Sequence, residues 1–416
     1  MKTKSLATRQ EREPQQAHTP RVPQQAHTPR QTRLPRQARL LRQARLLRQA
    51  KLVLEDGSEY SGYSFGKARS QAGEVVFYNG MGGYTQYLTD PAFRGQILVS
   101  AYPLAGNTGV PLKPRSGEAF FDGQGIPIHF ESPRIQVSAL VVSEACDEPS
   151  HFSSGATLSS WLEKNNVPGI YGIDTRALTI RLRDNGVMQG KILIEGCREV
   201  TMDSGINPNP VAEVSCKEPK TFQPKNKALC KIALIDCGVK ANILRCLLDR
   251  DVEITCLPWN YTIENKYDGF FLSGGPGDPK ACGKIIAMVR RLFDYRKPIF
   301  GAGLGCGIMA LAAGGDTYKL PYGHRGQNQP CLEQGSPRCY VTSQNHGYAI
   351  RAESLPRGWE PSFININDNT IEGIRSSRGP FSAVQFNPEG CPGPRDTEFL
   401  LDRFIAQVQE CKNERA

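Results

Sequence analysis

The sequence has no pair of cysteines spaced CxxC, and its 13 cysteines are an odd number scattered along 416 residues. That excludes a disulfide scaffold and a thiolate zinc ribbon, so no metal site is expected and a reducing compartment is implied. Long apolar runs are missing as well: stretches such as Ala139 to Val142 and Ile232 to Ile235 fall far short of the roughly 18 to 20 residues a membrane span requires. No membrane partner is expected. A GK[ST] phosphate loop is also absent, and Gly301, Gly303, Gly305 and Gly307 do not fit GxGxxG because position 306 is cysteine. Dinucleotide or ATP binding has no motif to rest on, and no cofactor is expected in this chain.

A net charge of +10 suggests nucleic acid until it is located. Residues 1–51 hold 13 Lys and Arg against two acids, Glu11 and Glu13, and no aromatic residue. The rest of the chain is close to neutral, with 38 basic and 39 acidic groups. The basic stretch offers nothing on which a base can stack, so no nucleic-acid partner is expected.

Residues 1–50 read as a basic low-complexity tail. PQQAHTPR occurs at Pro14 to Arg21 and again at Pro23 to Arg30, and LLRQAR repeats through Arg36 to Ala50. Arginine-rich, acid-poor leaders are typical of mitochondrial targeting, with the cytoplasm as the alternative. Yet Arg36, Arg39, Arg42, Arg45 and Arg48 stand three apart, and at about 100° per residue this spacing spreads them around a helix rather than along one face. A disordered expanded repeat is the competing reading.

Residues 51–196 alternate short strand-like runs with turn signals and predict a mixed, β-rich domain. Residues 197–228, rich in turn residues without a sustained period, read as a linker. Residues 229–412 alternate strands and helices as a doubly wound α/β domain does. In that domain Lys231 to Asp236, Glu253 to Leu257, Gly269 to Leu272, Pro298 to Phe300, Arg338 to Thr342 and Phe381 to Phe386 read as strands. Ala241 to Arg250, Ala281 to Tyr295 and Leu304 to Ala313 read as helices.

Function in such sheets collects at the carboxyl ends of strands. Two glycine-rich turns stand there: Ser273 to Pro279 after Phe270-Phe271-Leu272, and Gly301 to Gly307 after Pro298-Ile299-Phe300. Strand, sharp turn and helix is the geometry of a nucleophile elbow, where backbone N–H groups at the helix start stabilise an oxyanion.

Gly274 to Pro279, this elbow, His324 to Pro330, Thr342 to Tyr348 and Gln385 to Glu389 closely resemble the class I glutamine amidotransferase domain of carbamoyl-phosphate synthetases. Leu54 to Gly57, Gly73 to Phe77, Leu88 to Pro91, Gln96 to Leu98, Gly106-Asn107 and Gly172 to Arg176 resemble the N-terminal domain of the small subunit. Tyr63 to Gly66 and Gly190 to Ile192 lean toward the mitochondrial, ammonia-dependent branch. Residues 111–129, rich in proline and glycine, depart from the more acidic segment the family carries there.

The resemblance implies a cysteine nucleophile at the elbow, a histidine base and a glutamate that orients it. Here those positions hold Gly303, Asn387 and Glu389, so only the glutamate remains. Glycine has no nucleophilic atom and asparagine does not titrate near neutrality. Two substrate-holding positions are also glycine, Gly307 and Gly80. Gly275, Gly277, Leu304, Asn345, Gly347 and Tyr348 match the rest of the glutamine site: Gly275 and Leu304 as oxyanion donors, and Asn345, Gly347 and Tyr348 toward the α-amino and α-carboxyl groups. Cys306 reads as a small residue filling a helix–sheet contact.

The resulting expectation is a small-subunit-like protein with a degenerate glutaminase, partnering a large ATP-grasp carbamoyl-phosphate synthetase in nitrogen metabolism (urea or arginine versus pyrimidine route). Two alternatives stay open: an active glutamine-hydrolysing small chain, and a free-standing binding module or truncated product.

Overall fold

A computed structural model describes residues 48–113 and 116–415. Apart from Arg48, Gln49 and Ala50, the stretch read as a tail or leader lies outside the described residues.

The first domain is a closed barrel of seven strands in the order β1-β2-β8-β6-β4-β3-β9. These are β1 (Gln49–Leu54), β2 (Glu59–Gly66), β3 (Gln71–Tyr78), β4 (Ile97–Ser100), β6 (Ala139–Val141), β8 (Pro168–Tyr171) and β9 (Met188–Ile194); β5 (Leu104–Ala105) and β7 (Glu144–Ala145) form a separate two-stranded sheet. Strand β1 buries every second residue, Ala50, Leu52 and Leu54, which is the alternation of a strand with one face on a core. Sequence placed Gln49 and Ala50 in the tail, but Gln49 pairs with Tyr63 of β2, and Ala50 with Gly62 and with Ile194 of β9. Deleting residues 1–50 is therefore expected to cost about 1–2 kcal/mol more than deleting residues 1–47, because two backbone bonds to Arg48 and Gln49 and the buried Ala50 methyl go with it. Parallel thermal melts of the two truncations would read the difference.

The second domain is built on a sheet of ten strands in the order β10-β12-β11-β13-β14-β19-β18-β16-β15-β17. Its parallel centre comprises β11 (Cys230–Asp236), β12 (Val252–Pro258), β13 (Gly269–Leu272), β14 (Ile299–Ala302) and β19 (Phe381–Val384). Strand β11 is apolar on both faces because helices cover both: Ala233 and Ile235 pack with Ile285, Val289 and Met309, whereas Ile232 and Leu234 pack with Leu244, Leu247 and Phe404. The helix Leu304–Ala313 is apolar nearly all round and correspondingly buried.

Three sequence readings change. The last part of the presumed linker is β10 (Lys220–Phe222), the edge strand antiparallel to β12, and Pro210–Val214 is a short helix. Arg338 to Thr342 is only the beginning of β16 (Cys339–Ile350), whose asparagine and glycine resemble turn residues but lie in a ladder. Its partner β15 (Thr317–Glu333) was not foreseen. It carries Pro321, Gly323, Gly326 and Pro330, and register shifts between Lys319 and His324 and between Gly326 and Gln329 absorb them. Strands β17 (Trp359–Asn365) and β18 (Ile371–Ser376) complete the sheet. No described helix is long and apolar enough to cross a membrane.

Candidate active site

Four parallel strands deliver their carboxyl ends to one place. Leu272 at the end of β13 is in register with Gly301 of β14, so the two glycine turns leave neighbouring strands side by side. Ala302 of β14 pairs with Val384 of β19, and the Gly303 N–H donates to the Val384 carbonyl at 2.9 Å, which puts Gln385 to Glu389 against the elbow. Asn387 then bridges to Ser343 of β16, drawing in Asn345 to Tyr348. The turn after β11 adds Lys240.

These ends enclose a cavity of about 110 Å³. Gly275, Gly277, Gly303, Leu304, Asn345, Gly347, Tyr348, Asn387 and Glu389 all line it, so nine of the eleven residues singled out from sequence converge. It shares Glu74, Ala92, Gln96, Gly277 and Tyr348 with a polar cleft of about 920 Å³ between the two domains. Gly80 and Gly307 do not reach the cavity. A Cβ at Gly80 would lie 2.3 Å from a ring carbon of Tyr78 and 2.7 Å from Gln327 Nε2, and one at Gly307 would lie 2.7 Å from Pro279 Cγ. The space that substrate-holding side chains would need at both positions is filled.

Gly303 has the elbow backbone, φ 54° and ψ −118°, at the start of the helix Leu304–Ala313. A Cβ there would meet nothing closer than Gly274 Cα at 3.4 Å, so the turn keeps room for a side chain it does not have. Gly275 is different: a Cβ would lie 2.0 Å from the Cys237 carbonyl oxygen. Only glycine fits there, and Gly275 and Leu304 both line the cavity. Gly275→Ala is expected to cost about 1–3 kcal/mol by forcing its turn away from the Cys237 carbonyl after β11, measured as a lowered urea midpoint.

Sequence reasoning missed the charges that hold the site. The Lys240 ammonium, buried, lies 2.7 Å from Glu389 Oε1 and donates to the Gly390 carbonyl at 2.9 Å. Burial works against its charge, but the carboxylates of Glu389, Glu131 and Asp90 outweigh it and hold its pKa above the usual lysine range. Burial pushes the Glu389 carboxyl up, with Lys240 opposing. Glu389 is thus bound to a lysine, not poised to orient an imidazole. Asp90, from the barrel domain, accepts from Asn345 Nδ2 at 2.8 Å and ties the cavity to that domain. A lysine immediately before an apolar helix, at a strand's carboxyl end, was the available signal for Lys240. Asp90 stood in the quoted Leu88 to Pro91 run without a role.

Among the described residues lining the cavity there is no cysteine, serine or threonine. Its one histidine, His346, has both ring nitrogens engaged, with the Tyr348 carbonyl at 2.8 Å and Gln344 Oε1 at 3.0 Å. Cys306 is fully buried in the helix–sheet core, and burial raises its thiol well above the ordinary value.

Comparison with known proteins agrees with this architecture. A family model for the carbamoyl-phosphate synthase small chain, CPSase domain, matches residues 52–192, and one for glutamine amidotransferase class-I matches residues 233–407. The multifunctional protein pyr1-3 of Dictyostelium discoideum is 46% identical over 379 residues, covering 86% of this chain and 17% of that protein. The mitochondrial carbamoyl-phosphate synthase [ammonia] of Homo sapiens is 44% identical over 363 residues, covering 86% of this chain and 24% of that one. The chain therefore spans about a fifth of the length of these relatives. A crystal structure of a glutamine amidotransferase from Thermotoga maritima aligns with 44% of this chain and 86% of its own, at 16% identity and a TM-score of 0.33.

Proposed function

The chain belongs to the family that joins a carbamoyl-phosphate synthase small-chain domain to a class-I glutamine amidotransferase domain, and from that premise we propose that it is a member whose glutaminase no longer hydrolyses glutamine. In this reading it serves as a structural or regulatory partner of an ammonia-using carbamoyl-phosphate synthetase, on the pyrimidine or the urea and arginine route. The large ATP-using synthetase region would lie on another polypeptide or elsewhere on a longer one.

The observation that carries the reading is the cavity wall itself: glycine stands at the elbow, and among the described residues no cysteine, serine or threonine lines the space around it. A glutamine side chain directed at Gly275 and Leu304 would meet backbone donors and no attacking atom. Its amide would be held without being cleaved, since attack on the amide carbonyl and proton transfer to the leaving ammonia both lack an agent. Asn345, Gly347 and Tyr348 remain in place for the α-amino and α-carboxyl groups. Because Asn345 is bonded to Asp90 of the barrel domain, occupancy would be felt in both domains.

Titration calorimetry with L-glutamine, followed by co-purification with an ATP-grasp carbamoyl-phosphate synthetase, tests the reading. A saturable, hydrolysis-free heat and a complex whose ammonia-dependent rate differs from that of the synthetase alone are expected. Absence of any complex would favour the free-standing binding module.

A further inference from the structure

Behind the β16 wall of the cavity, β15, β16 and β18 bring together side chains that the glutaminase chemistry leaves unused. His324 and His346 are register partners across β15 and β16, their rings 4.9 Å apart and edge to face. Glu372 of β18 reaches both, with Oε1 2.9 Å from His324 Nδ1 and Oε2 3.5 Å from His346 Nε2. All three residues are buried.

The outward nitrogens are anchored. His324 Nε2 lies 2.8 Å from Asp368 Oδ2, and His346 Nδ1 lies 2.8 Å from the Tyr348 carbonyl. A ring nitrogen facing a carboxylate or a carbonyl oxygen carries the hydrogen. The inward nitrogens face oxygens as well, His324 Nδ1 the carboxylate of Glu372 and His346 Nε2 the amide oxygen of Gln344; a bound ion would take the place of the hydrogen at each. Gln344 donates its amide to Cys331 Sγ and Thr342 Oγ1, which turns Oε1 toward His346 Nε2 at 3.0 Å. Glu372 Oε2 is buried and has no hydrogen-bond partner. His346 Nε2, Gln344 Oε1 and Glu372 Oε2 thus converge, and the buried carboxylate oxygen is left without a hydrogen bond.

We propose that His324 Nδ1, His346 Nε2, the Glu372 carboxylate and Gln344 Oε1 bind a divalent first-row transition ion of the zinc class. Two imidazoles, a carboxylate and an amide oxygen form a four-donor N/O set suited to tetrahedral coordination. The outer contacts to Asp368 and the Tyr348 carbonyl are the second-shell bonds that fix the tautomer of a ligating histidine. Bonds of roughly 2.0–2.2 Å place tetrahedral donors about 3.3–3.5 Å apart; the contacts here are 2.9, 3.0 and 3.5 Å, and the ligand atoms of His324, His346 and Glu372 all lie within 4.8 Å of one another. The ion would be structural: it would lock Gln344 to Tyr348, the run that supplies Asn345, Gly347 and Tyr348 to the cavity. The other cluster of this kind, Cys216, Cys256 and Asp236, is a poorer candidate because the Asp236 oxygens already accept backbone N–H groups from Cys216, Gly238 and Val239.

The experiment uses the untagged full chain, stripped with chelator, then dialysed against micromolar zinc or cobalt(II). About one equivalent of zinc should be retained, raising the melting temperature by several degrees. The cobalt form should show tetrahedral visible bands without a thiolate charge-transfer band. Retention should fall at least about tenfold in His346→Gln and in Glu372→Gln, and should be unchanged in a Cys216→Ser, Cys256→Ser double variant. Retention below a tenth of an equivalent, retention unchanged in both ligand variants, or a thiolate band in the cobalt protein would each overturn the proposal. If the ligand variants do not fold, the wild-type cobalt spectrum and zinc content decide.

Discussion

Gly303→Cys combined with Asn387→His is expected to produce a measurable glutaminase, while the wild type and each single replacement stay at background. A nucleophile without a base and a base without a nucleophile act as a unit, and losing either typically costs about 10³ to 10⁶ in rate. The elbow already has its strained backbone, and a Cβ at Gly303 meets only ordinary contacts, at 3.4 Å from Gly274 Cα and 3.9 Å from the Gln385 oxygen. Gly275 and Leu304, the proposed oxyanion donors, line the same cavity. Adding Gly307→Gln is expected to lower the yield of folded protein, since Pro279 occupies the space its Cβ would take. Recovery will be partial, because Glu389 is bonded to Lys240 and must be shared with the new imidazole. A folded double variant that neither hydrolyses glutamine nor reacts with a glutamine-like alkylating analogue would mean that the pocket itself has changed, and the free-standing module would gain.

Lys240→Met is expected to destabilise the chain by about 3–5 kcal/mol, on the order of 10 °C in melting temperature. Methionine keeps much of the volume but leaves Glu389, Glu131 and Asp90 buried around a missing cation. The loss should depend on pH in a definite sense. The Glu389 carboxyl stands above its ordinary value because of burial, with Lys240 opposing the rise. A carboxyl raised in the folded state contributes stability that is full at low pH and lost as pH rises through the folded value. Without Lys240 the rise is larger, so the deficit of the variant should shrink as pH falls from about 8 to about 5, and Lys240→Met with Glu389→Gln should recover part of it at neutral pH. Equal deficits at both pH values would show that Lys240 acts through packing alone.

The central strands and the two glycine turns were legible because parallel strands buried on both faces announce themselves as apolar runs. Gly269–Leu272 and Ile299–Ala302 are examples, and the helix Leu304–Ala313 lies where its pattern placed it. Strand β15 was not legible, since its prolines and glycines signal turns and only the bulges beside β16 reconcile them with a ladder. The nine converging site residues came through the family resemblance, carried by the two glycine turns, the run within β16 and the run Gln385 to Glu389. Gly80 and Gly307 did not join them because Tyr78, Gln327 and Pro279 fill the intervening space, which no spacing along the chain reveals. Lys240, Asp90 and the His324, His346 and Glu372 group escaped for a related reason: their partners are distant in sequence and meet only through strand order. Absence of CxxC speaks against thiolate zinc sites and says nothing about such a histidine–carboxylate set.

The most direct measurement is ammonia release from L-glutamine by the purified wild-type chain, alone and with an ATP-grasp carbamoyl-phosphate synthetase present. Gly303 at the elbow and a wall without cysteine, serine or threonine predict a rate indistinguishable from the protein-free control in both conditions. Turnover at a rate typical of the family, with a glutamyl thioester trapped on Cys306 or any other cysteine, would contradict the claim that this glutaminase is inactive.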